Sequence, residues 1–116
     1  MSLDLRDTLY EWSVVGSYTR IGFKHRARRF DSQDLRQDLS KRVFVVTGAN
    51  SGIGLATTRQ LASHGAHVIM ACRNFERGLA ALESIRQEIP SAKLELKPVD
   101  ISELGCVHGF CDWLGD

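Results

Sequence analysis

Cysteine is scarce in this 116-residue chain: Cys72, Cys106 and Cys111 are an odd number, with no Cys-x-x-Cys spacing. Such a count disfavours a disulfide framework and suits a reducing compartment. His64, His67 and His108 do not combine with these cysteines at a zinc-ligand spacing. Long apolar runs are missing as well, and none approaches the ~20 residues that span a bilayer. The first residues lack the charged-then-apolar layout of a secretory signal, and Asp4, Asp7 and Glu11 argue against an acid-poor transit peptide. A cytoplasmic location is the expectation. Net charge is also small, at +1, which implies no nucleic-acid partner; any basic character must be local.

What is present has the balance of a globular protein, with 43% apolar and 25% charged residues. The texture changes near Lys41. Residues 1–40 form a polar leader rich in arginine and aspartate. Residues 41–116 alternate short apolar runs with helix-period stretches, the mark of βαβ units and a parallel sheet. The expected fold class is therefore α/β: the N-terminal half of a Rossmann-type, doubly wound parallel sheet behind a polar, helical leader.

Val43-Phe44-Val45-Val46 predicts a strand buried on both faces. A helix over 52–64 ends at Gly65, and a second strand spans His67 to Cys72. Asn74 is the predicted N-cap of the next helix. Its core stripe reads as Phe75, Leu79, Leu82, Arg86 and Ile89, with Ile85 beside it. Leu94, Leu96 and Val99 mark a third strand, and Pro98 places it at an edge or a strand end. Leu104, Val107, Cys111 and Leu114 have helical spacing, but Gly105 and Gly109 each cost about 1 kcal/mol there. That predicts only a short, poorly specified helix.

Chemistry concentrates in Thr47-Gly48-Ala49-Asn50-Ser51-Gly52-Ile53-Gly54, where a strand hands over to a helix. Gly48 can take the positive φ of a tight turn. Gly52, without a Cβ, lets backbone approach a pyrophosphate, and Gly54 lets the helix pack closely on the strand. The first-turn N–H groups and the helix dipole would then face phosphate oxygens. No Gly-Lys-Ser/Thr follows, so the turn reads as a dinucleotide site rather than a nucleoside-triphosphate loop. At the end of the second strand, where an acid would meet a free ribose 2′-hydroxyl, the chain has Arg73, whose planar cation suits a 2′-phosphate. The expected cofactor is NADP, in preference to NAD. Asp100 closes the third strand, where it either meets the adenine amino group or caps the following helix.

These residues resemble the short-chain dehydrogenase/reductase superfamily, whose Thr-Gly-x-x-x-Gly-Ile-Gly fingerprint is matched by Thr47 to Gly54. The stretch from His64 to Asn74 resembles the retinol-dehydrogenase-like and WW-domain oxidoreductase branches. The leader, with Tyr18, Gly22 and Phe30, is most similar to the member-12 branch. The resemblance implies a Rossmann fold, NAD(P) and reversible carbonyl/alcohol hydride transfer. It also implies that Gly48, Asn50, Ser51, Gly52, Ile53 and Gly54 cradle the cofactor, that Arg73 contacts the adenosine phosphate, and that Asp100 and Ile101 flank the adenine.

The family's Asn-Asn-Ala-Gly segment, catalytic serine and Tyr-x-x-x-Lys pair have no match here, since Tyr10 and Tyr18 are followed four residues on by Val14 and Gly22. No catalytic residue is therefore assigned. The chain is expected to be a truncated, inactive cofactor-binding portion of an oxidoreductase. The alternative is a short form that binds nucleotide, or pairs with the full-length protein, without turnover. The first strand, central in a complete sheet, should lack a partner on one side and favour aggregation.

One basic run remains, Lys24-His25-Arg26-Ala27-Arg28-Arg29. With Leu5, Leu9, Trp12 and Val15 on a helical stripe upstream, it could dock on an anionic membrane surface. The favoured reading is a helix folded over the domain, followed by a solvated basic segment.

Overall fold

The computed structural model describes residues 18–34 and 36–116, so the stripe of Leu5, Leu9, Trp12 and Val15 lies outside the described residues. The chain divides into two compact units, Met1–Arg36 and Gln37–Asp116. Helix α1 (Arg20–Ala27) belongs to the first. Thr19 is its N-cap, and the threonine hydroxyl accepts the Gly22 N–H at 3.4 Å. Lys24, His25 and Arg26 occupy its last turn, where cations complement the negative end of the helix dipole.

The second unit runs β1 (Val43–Thr47), α2 (Gly52–Ser63), β2 (His67–Cys72), α3 (Phe75–Glu88), β3 (Lys93–Pro98) and α4 (Leu104–Gly115). The strands form one parallel sheet in the order β1-β2-β3, with His67 opposite both Val43 and Lys93. Parallel neighbours need a crossover, which α2 and α3 supply. The core gathers Val68, Met70 and Cys72 of β2 with Ala62, Ala81, Leu82, Ile85 and Leu94. Leu39 packs against that cluster, and its N–H donates to the His64 carbonyl. Among the described residues no helix is long and apolar enough to cross a membrane.

Two sequence expectations need correction. β1 is not buried on both faces: Val43 and Val45 are 61% and 41% exposed, while Phe44 and Val46 are half-buried against the core. β1 lies at the sheet edge, and the strand buried on both faces is the central one, β2, whose residues 68–72 are all buried. An unbroken β-branched run cannot distinguish these positions. In α3 the buried face is Gly78, Ala81, Leu82 and Ile85, with Phe75 and Leu79 exposed. Arg86 lies off that face, and its guanidinium donates to the Leu94 carbonyl at 3.1 Å. Small residues bring the helix close to the sheet: a Cβ on Gly78 would sit 2.7 Å from Leu96 Cδ1 and 3.3 Å from Cys72 Cβ. A stripe chosen for bulk overlooks them.

Other local signals hold. Asn74 Oδ1 accepts the Arg77 N–H at 2.9 Å, capping α3. Gly65, with φ of +83°, follows α2 in the left-handed conformation that ends helices. β3 is an edge strand that stops at Pro98. The last helix is longer than predicted, twelve residues, yet it buries none of them. Trp113 stacks on Phe110 and receives Lys97 Nζ 3.8 Å from its ring centre.

Candidate functional site

The turn between β1 and α2 bends at its glycines. Gly48 and Gly52 have φ of +61° and +53°, a region that costs other L-residues roughly 1–2 kcal/mol. The Gly48 N–H donates to the Ala71 carbonyl at 2.9 Å, carrying the β1–β2 ladder into the turn. Nothing lies within 4 Å of a Cβ built on Gly48 or Gly52, so the backbone there faces open space. A Cβ on Gly54, by contrast, would overlap the Gly48 carbonyl. The close approach that Gly54 permits is thus to the exit of the strand. Fully buried Thr58 reinforces this first turn, its hydroxyl donating to the Gly54 carbonyl at 2.8 Å.

Ser51 is the N-cap of α2 and makes no side-chain capping bond. The first-turn N–H groups have no intrahelical acceptor, so this end of the helix offers donors together with the positive end of its dipole. Beneath the turn lies Cys72, buried to 1% exposure. Burial pushes its thiol pKa up, against a smaller opposing pull from the Ala49 and Asn50 N–H groups that donate to the sulfur.

A cleft of about 350 Å³ opens at the carboxyl ends of the three strands. It falls within the size range of small-molecule sites, in the place where open parallel sheets hold ligands. Gly48, Asn50, Ser51, Arg73, Asp100 and Ile101 line it, six of the nine residues expected from sequence. Gly52, Ile53 and Gly54 are not in its wall. Gly52 and Gly54 shape the backbone behind it, whereas Ile53 is 88% exposed.

The wall also contains Asn74, read from sequence only as a helix cap, and Arg77, which sequence reasoning did not single out. A signal was available: an Asn74 cap puts Arg77 in the first turn of α3, at the same helix end as Arg73. Asp100 turns out not to be the helix cap, because Glu103 holds that position in α4. Its Oδ1 instead accepts the Ser102 hydroxyl at 2.6 Å and the Ser102 N–H at 3.0 Å, closing a short turn. Those two bonds, with a smaller contribution from the charge of Arg73, hold the carboxyl below its usual pKa. The donor set fits a dinucleotide's adenosine half: amides at the turn for phosphate, cations beside β2, and a carboxylate across the cleft.

Residues 42–113 match the family model of the short chain dehydrogenases. The WW domain-containing oxidoreductase of Danio rerio is 50% identical over 76 residues, covering 66% of this chain and 18% of that protein. The chain thus spans about a fifth of the length of the curated relatives it matches. An NADPH-bound short chain oxidoreductase from Pseudomonas aeruginosa PAO1, described as having an atypical catalytic center, superposes with a TM-score of 0.61 at 42% identity. That match covers 66% of this chain and 30% of the other. A metagenomic short-chain oxidoreductase in complex with NADP also gives 0.61, at 33% identity over 67% of this chain and 34% of its own. With the fingerprint turn, the parallel sheet and the cleft in one place, the chain belongs to the short-chain dehydrogenase family.

Proposed function

We propose that residues 37–116 form the adenosine-binding part of an NADP(H)-dependent oxidoreductase that interconverts carbonyl and alcohol groups. The observation that carries this reading is the single cleft bringing the Gly48–Ser51 turn together with Arg73 and Asp100. In it the turn amides hold the pyrophosphate, Arg73 and Arg77 pair with the 2′-phosphate, and Asp100 accepts from the adenine amino group. Ile101 packs along the base, and Ile53 extends the contact beyond the cleft. Two arginines beside the N-terminal end of α3 favour a phosphate over a bare hydroxyl. The NADPH- and NADP-bound relatives support the same preference.

Bound NADP(H) supplies the hydride. This chain's part is to bind and orient the cofactor, through the Gly48–Ser51 turn, Arg73 and Asp100. A second reading is a form that binds nucleotide in the same cleft without turnover. We assign the leader to the member-12 branch of the family and the protein to the cytoplasm, where three free cysteines remain reduced. Fluorescence titration with NADPH and NADH tests the cofactor reading. Saturable binding with NADPH the tighter ligand is expected, and absence of saturation at millimolar nucleotide rejects it. Binding without oxidation of NADPH by aldehydes or ketones separates the second reading from the first.

A further inference from the structure

The described part of the basic leader has its own arrangement of side chains. On α1, Phe23 and Ala27 stand one turn apart on the same ridge. Arg20 and Lys24 flank that ridge on one side and Arg26 on the other. Phe30 extends it, its ring edge-on to Phe23 at 6.2 Å. Both rings stay open to solvent, at 63% and 64% exposure, and Ile21 is 62% exposed. Between Tyr18 and Asp34 five Lys and Arg oppose two aspartates, an excess of +3 in a chain whose total is +1. The positive charge is therefore concentrated around exposed apolar side chains.

We propose that α1 and Phe30 dock on an anionic phospholipid surface. Phe23 and Phe30 enter the boundary between headgroups and acyl chains, while Arg20, Lys24 and Arg28 reach lipid phosphates and carboxylates. Aromatic rings suit that boundary, and long cationic side chains can lay their stems along it with their charges in water. The charge complementarity is direct, since cytoplasmic leaflets are negative and each nearby Lys or Arg strengthens binding about fivefold. Nucleic acid accounts for the cations but offers no apolar layer to receive Ile21 and a pair of exposed rings. Docking through one short helix makes this contact reversible and sensitive to salt.

Co-sedimentation of the full chain with phospholipid vesicles tests this. The chain is expected to pellet with phosphatidylcholine vesicles containing about 30% phosphatidylserine, to stay in solution with phosphatidylcholine alone, and to be released by salt. Lys24→Gln with Arg28→Gln should weaken binding roughly 25-fold. Phe23→Ser with Phe30→Ser should also weaken it. The thermal transition and the NADPH titration, which report on the other unit, should not change for the charge variant. Failure to pellet, equal pelleting without phosphatidylserine, or full binding by the charge variant overturns the proposal. So does tighter binding to a single-stranded oligonucleotide than to anionic vesicles. None of these outcomes depends on whether the cleft holds a nucleotide.

Discussion

At the scale of single residues, the cleft separates charge from shape. Arg73→Asp replaces a cation that would attract a 2′-phosphate with an acid that would repel it. NADPH affinity should fall by about ten- to a hundredfold and NADH should become the better ligand. An unchanged ratio in fluorescence titration would remove Arg73 from cofactor choice. Arg77→Ala should cost about tenfold for NADPH and leave NADH unaffected. Asp100 carries a pH prediction. Ser102, and then Arg73, lower its folded pKa. Its contribution to stability is therefore complete above its unfolded value of about 4 and is lost as pH falls through the lower folded value. The Ser102 amide signal should accordingly stay constant from neutral pH down to about pH 4 and shift only below it, whereas Asp100→Asn removes that shift.

At the scale of elements, the turn between β1 and α2 depends on a contact that no side chain can occupy. Gly54→Ala forces a methyl group onto the Gly48 carbonyl, which is backbone and cannot swing aside. A loss of about 1–3 kcal/mol is expected in thermal or denaturant unfolding, along with weaker NADPH binding. Much of this region was legible beforehand, because glycine conformations and helix caps are set by neighbours a few residues away. Gly48, Gly65 and Asn74 each do what their local sequence implies. The face of α3 was not legible. Its close approach to the sheet is made at Gly78, whose smallness matters only once Leu96 and Cys72 lie opposite.

At the scale of the sheet, the edge position of β1 carries a prediction about association. Among the described residues β1 pairs only with β2, and Val43 and Val45 are exposed beside that free edge. An apolar edge strand is a template for pairing with another chain. Val45→Lys should slow light-scattering growth in concentrated samples and leave NADPH affinity unaltered, because Val45 is outside the cleft wall. Equal aggregation in the variant would mean that association uses another surface.

The sequence by itself determined the order of elements, the place of the glycine turn, the left-handed Gly48 and the cation after β2. These follow from short-range sterics and from the handover of strand to helix. Only the tertiary structure decided that Arg77 joins Arg73, that Ile53 stands outside the cleft, and that β2 rather than β1 is enclosed on both faces. Burial and convergence are relations between segments distant in the chain, and no periodicity within one segment contains them.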